Sequence, residues 1–131
     1  MRVIAIIVAI LGLASLVFGI LFVAQSGSAK QQVADSIAPL TLDQVEPKYN
    51  TVANNYDKYK TAEEPKIQAQ QAMPSDMYNY LSAQRALLGL AKSNIGIANF
   101  LLTIGTVGIV LGLGMALTGI ALLRKVQSAA A

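Results

Sequence analysis

Cysteine, histidine and tryptophan are absent from the 131 residues, and charged side chains make up only 13% of them. Without thiol or imidazole groups there is no disulfide, no thiolate nucleophile, no thiolate or imidazole zinc site and no histidine-ligated haem. Redox and most metal chemistry are thereby set aside, and neither a metal nor a cofactor is expected. The missing cysteine leaves the compartment open, because disulfide-free segments occur on both sides of a membrane. Carboxylates number seven, and only Glu63 and Glu64 are adjacent. Adjacent helical residues point in different directions, whereas a paired-acid hydrolase needs two carboxylates across a cleft. No phosphate-cradling loop or nucleophile elbow is present either. No catalytic residue is assigned, and the chain reads as a non-enzyme.

What the sequence has in excess is apolar side chains. They are 54% of the chain, against about 45–50% apolar and about 25% charged in average usage. The surplus is concentrated: residues 3–24 and 95–123 form uncharged runs of 22 and 29 positions. At 1.5 Å rise per residue each is long enough to cross a hydrocarbon core of about 30 Å. The first run competes with a cleaved signal peptide, since Arg2 precedes it and small residues follow. Its length exceeds the roughly 7–15 residues of a signal core, so a retained anchor is expected. Outside residues 25–94 the only charges are Arg2, Arg124 and Lys125, while that central segment holds seven basic and seven acidic side chains. The positive-inside rule then places both termini in the cytoplasm, with residues 124–131 as a tail, and residues 25–94 outside a plasma (inner) membrane. The net charge of +3 thus reports topology. It forms no basic patch, and nucleic acid is not an expected partner.

Small residues within the runs are ordered. Ala98, Gly105, Gly112 and Gly119 recur every seven residues, Gly108 and Ala116 lie on the same flank, and all six fall within about 80° of arc at 100° per residue. Ala5, Gly12, Gly19 and Ser26 repeat at the same interval, continued by Val33 and Leu40. The 3,4 spacing of the second run extends upstream through Met77, Leu81, Gln84, Leu88, Ala91 and Ile95. Two helices with matching seven-residue repeats of small residues can approach closely and supercoil, in lipid where packing must hold them together. The expected fold is all-α: two transmembrane helices in an antiparallel hairpin that extends beyond the bilayer under a short helical tip. Whether the seam joins helices of one chain or of neighbouring chains is open at this stage.

Four prolines organise residues 25–94. Pro39 should end an extended first helix near residue 38, because the residue before proline resists helical geometry. Ser75 reads as an N-cap with Asp76 in the first turn, so the second long helix is expected to start near 76. Between them Val45, Tyr49, Val52, Tyr56 and Tyr59 step by four, three, four and three, an amphipathic helix face. Thr61 and Glu64 have the form of a capping box ahead of Pro65. Short helices near 46–60 and 62–73 are therefore expected. Tyr49, Tyr56 and Tyr59 are the candidate contact residues of the tip, and Lys30 and Lys92 are read as snorkelling side chains.

No ionisable residue interrupts the two runs, which removes the signature of a proton relay, voltage sensor or coupled transporter. The functional expectation is a structural or interaction protein that works in contact with membrane lipid and self-associates through its small-residue seams. The alternatives are an accessory subunit of a larger membrane complex and a passive oligomeric channel lined by glycine and threonine.

Overall fold

The computed structural model describes residues 2–128, which contain helices and turns and no strand. Helix α1 spans Arg2–Ile37, a short 3-10 turn spans Leu42–Gln44, α2 spans Val45–Gln68 and α3 spans Asp76–Ser128. Both α1 and α3 are long and apolar enough to cross a membrane. The chain divides into two compact units, residues 1–29 with 97–131, and residues 30–96. Each is described by itself.

Local chemistry explains where the helices stop. Pro39 blocks continuation of α1, and the chain turns with Leu40 N–H donating to the Ile37 carbonyl at 3.0 Å. The 3-10 turn follows at once because the Gln44 side-chain oxygen accepts from the Thr41 N–H at 3.1 Å. That is the Gln44 half of a Thr-x-x-Gln capping box, a signal the sequence itself carries. At the start of α3 the Ser75 hydroxyl accepts from the Tyr78 N–H at 3.1 Å, the N-cap bond expected of it.

The tip helices differ from the reading of two short segments near 46–60 and 62–73. A single helix, α2, runs through the intended break. Thr61 does not cap a new helix; its hydroxyl donates to the Asp57 carbonyl one turn back at 2.8 Å. Pro65 lies in the last turn, where its missing N–H and its ring forgo a single bond, that to the Thr61 carbonyl one turn back. Glu63 is drawn away to Ser75, accepting from its N–H at 2.9 Å and from its hydroxyl at 2.6 Å. These bonds hold the Glu63 carboxyl below the usual carboxylate range.

The helix then closes on two bonds, Gln70 N–H to the Ile67 carbonyl at 3.0 Å and Gln71 N–H to the Lys66 carbonyl at 2.9 Å. Gln70 adopts φ of 56°. This is the six-to-one, five-to-two pattern of a Schellman stop, with glutamine where glycine is usual.

The unit of residues 30–96 packs the last turns of α1, the 3-10 turn, α2 and the first part of α3 around two small cores. Val33, Val45 and Ala91 form one, with Ile37, Leu42 and Ile95 against it. Val52, Leu81 and Leu88 form the other, flanked by Leu40, Tyr49 and Tyr56. The alternation of α2 that suggested an amphipathic face thus buries Val45 and Val52. The exposed face of α2 carries the charges.

Two measurements check these helix ends. Gln70→Gly is expected to raise stability by up to about 1 kcal/mol, since a left-handed residue with a Cβ costs roughly that much. An unchanged or lower unfolding midpoint would contradict the assigned turn. The Glu63 clasp should also depend on pH. Its folded pKa lies below the ordinary value of 4.5, so its stabilisation is complete above that value and is lost as pH falls through the lowered one. Amide exchange at residues 76–79 should accelerate over that acid range in the native chain and be fast at neutral pH in Glu63→Ala.

Candidate functional site

The seam of small residues is the most specific feature of the unit formed by residues 1–29 and 97–131. Ala5, Gly12, Gly19 and Ser26 of α1 are buried, as are Ala98, Gly105, Gly112, Ala116 and Gly119 of α3; Gly108 is half-buried. Neighbours at adjacent positions are exposed, including Leu11, Phe18, Leu111 and Leu117 at 53%, 59%, 58% and 66%. Burial therefore follows a seven-residue interval along both helices.

Backbone meets backbone along this line, and the contacts lie within one chain. A methyl built at Gly12 would strike the Ala116 backbone and stand 2.9 Å from the Gly112 carbonyl oxygen. One at Gly19 would stand 2.7 Å from the Gly105 oxygen, and one at Gly105 would stand 2.7 Å from the Gly19 oxygen. Gly112 meets Gly12 and Leu16, and Gly119 meets the backbone and Cβ of Ala9. Van der Waals attraction falls steeply with separation, so removing each Cβ brings whole stretches of main chain into contact. Gly108 is looser, 3.3 Å from the Gly19 Cα by the same construction.

Two serines add polar links. The Ser26 hydroxyl, 1% exposed, donates to the Ala98 carbonyl at 2.7 Å. The Ser15 hydroxyl donates to the Gly108 carbonyl at 3.0 Å. Ser26 entered the sequence reading only as a small residue, and Ser15 not at all. The available signal was a hydroxyl in an apolar run, which must find an acceptor. By contrast Thr103, Thr106 and Thr118 each donate to the carbonyl four residues back within α3. They serve their own helix.

In the unit of residues 30–96 the burial continues at Val33 on α1 and at Leu81, Leu88 and Ala91 on α3. Met77 departs from it, being 46% exposed. The first turn of α3 instead turns Tyr78 toward Tyr56, with ring centroids 5.4 Å apart and hydroxyls 3.3 Å apart. The shared hydroxyl bond and partial burial push the Tyr78 phenol up to about 12. Arg85 lies 5.0 Å from the Tyr56 ring centre and 3.6 Å from Asp57.

Lys92, read as a snorkelling side chain, is held by α2: it pairs with Glu46 at 2.8 Å and lies 5.3 Å from the Tyr49 ring centre. The pairing holds the Glu46 carboxyl below its usual range. Of the three tip tyrosines, Tyr49 and Tyr56 pack against the Val52 core while Tyr59 stays 40% exposed. Arg2, Arg124 and Lys125 are exposed at the helix ends. The adjacent acids are separately engaged, Glu63 by Ser75 and Glu64 by Lys60 at 3.7 Å. No family model, curated protein or solved structure matches this chain.

The seam makes opposite predictions for Gly112 and Gly114, two residues apart and so about 200° around the helix. Gly112→Ala should destabilise the helix pair by about 1–3 kcal/mol, the usual range for overpacking. Gly114, with nothing within 4 Å of its built Cβ, should tolerate alanine with no loss and gain up to about 1 kcal/mol of helix propensity. Thermal unfolding in mild detergent reads both. Equal midpoints for the two variants would remove the seam as a packing surface.

Proposed function

We propose that the chain is a non-enzymatic membrane protein: an antiparallel two-pass hairpin whose small-residue seam locks its spans together, and whose copies associate into an ordered assembly. The observation that carries this reading is the backbone-to-backbone contact of Gly12 with Gly112 and Gly19 with Gly105, set in an uncharged and exposed apolar surround. A water-facing domain would not leave so much contiguous apolar surface uncovered. Lipid tails would cover it at no cost.

Arg2, Arg124 and Lys125 favour cytoplasmic termini and an extracytoplasmic central segment. The seam positions are occupied within the chain, so association between copies falls to the faces the seam leaves open. Ala14, Gly114 and Ala121 supply small residues there, and the tip offers the exposed Tyr59 and Tyr80. The chemistry favours a structural role, because the acidic side chains nearest one another are bound up in helix-end and helix-face contacts.

Mass measurement in mild detergent should give a multiple of 13.8 kDa. A strictly monomeric particle would remove self-association, and a stoichiometric foreign protein recovered from native membranes would favour the accessory-subunit reading. Single cysteines introduced by Thr61→Cys and Ser128→Cys should react with an impermeant maleimide from opposite sides of a sealed membrane. Labelling of both from one side would refute the topology.

A further inference from the structure

The unit of residues 30–96 contains a groove of about 470 Å³ with no assigned role, bounded by the turn after α1 and by α3. Its walls are Leu40, Leu87, Leu88, Leu90 and Ala91. Leu87 and Leu90 are 68% and 61% exposed, so two large aliphatic side chains border it with nothing among the described residues to cover them. Its polar groups stand apart in kind: the amides Gln84 and Asn94, the Ser36 hydroxyl and one cation, Lys48. Among the described residues no carboxylate lines it.

Lys48 forms no ion pair among the described residues. Glu46 is taken by Lys92, and Asp43, which borders a neighbouring groove with Lys48, is bonded through Thr41. An aliphatic trough with a single uncompensated cation is complementary to one kind of ligand, a long apolar chain ending in a negative charge. At roughly 30 Å³ for each water-sized group, the volume accommodates on the order of fifteen chain atoms. That is one acyl chain and not two.

We propose that this groove binds a long-chain fatty acid, its chain along Leu40, Leu87 and Leu90 and its carboxylate at Lys48. The proposal rests on the groove alone and stands or falls separately from self-association. A helix from another copy is a poorer match, since it would bring apolar bulk and leave the cation unanswered.

The test uses the full chain in nanodiscs of neutral phosphatidylcholine with two probes, a diazirine-bearing hexadecanoic acid and the matching alcohol. The acid should label residues 36–40 and 84–94, and unlabelled palmitic acid should compete. Lys48→Gln should reduce acid labelling about fivefold, the effect of losing one exposed charge pair, and leave alcohol labelling unchanged. Lys48→Arg should keep it. Leu87→Gln with Leu90→Gln, both at exposed positions, should lower labelling by acid and alcohol alike. Labelling confined to residues 3–24 and 95–123, indifference to Lys48→Gln, or competition by phosphatidylglycerol and not by free acid would each overturn the proposal.

Discussion

Everything in the membrane-compatible half of this chain depends on how closely two stretches of main chain approach each other. Between apolar helices in lipid, burial against a neighbour gains nothing over burial against acyl chains. What distinguishes one partner is then the number of atoms brought within van der Waals range. Gly12, Gly19, Gly105, Gly112 and Gly119 remove the side chains that would hold the backbones apart. The side chains of Val23 and Ile109 then pack against Gly105 and Gly19, and the Leu16 backbone meets Gly112. The bulky residues elsewhere on α1 and α3 are free to face outward, which accounts for a surface that would be untenable in water.

The unit of residues 30–96 is built on a different basis. Its cores are a handful of aliphatic side chains, with Val45 at 1% and Val52 at 4% exposure as their centres. The remainder of its cohesion comes from amphipathic rings and charges used together. Tyr49 and Tyr56 contribute apolar faces to the core and accept Lys92 and Arg85 on their rings. Each cation also reaches an acid on α2. Water-exposed pairs of this kind contribute little singly, yet here each is coupled to a ring that is itself packed.

The sequence made the long apolar helices readable because their signal is repetition: two uncharged runs, small residues at intervals of seven, and prolines beyond them. Helix ends set by neighbours in sequence were equally readable, as at Pro39 and Ser75. What was not readable depended on distant residues. Thr61 and Glu64 suggested a helix start, but Glu63 is recruited by Ser75 twelve positions on, and α2 continues through. The stop of α2 carries no glycine to announce it, since Gln70 takes the left-handed conformation itself. Lys92 looked like a side chain reaching for lipid head groups until α2 supplied Glu46 and Tyr49. Ser15 gave no periodic signal because it lies beside the seam and not on it.

The bond from Ser26 to Ala98 sits within a nearly perfect repeat of small residues. A seven-residue pattern is degenerate under translation: shifting one helix by a heptad, about 10.5 Å, would set Gly12 against Gly105 and Gly19 against Ala98, nearly as well matched as before. Glycine alone therefore specifies how near the helices come and leaves their longitudinal alignment ambiguous. Ser26 is the single polar side chain on the α1 line, yet a backbone carbonyl recurs at every residue of α3, so the same shift would offer it the Ala91 carbonyl in place of that of Ala98. What separates the alignments is the larger residues that continue the pattern: Val33, packed with Ala91 and Val45, would be carried a heptad along α3 to Gln84. The small residues thus set the distance between the helices, and the residues that follow them set the register.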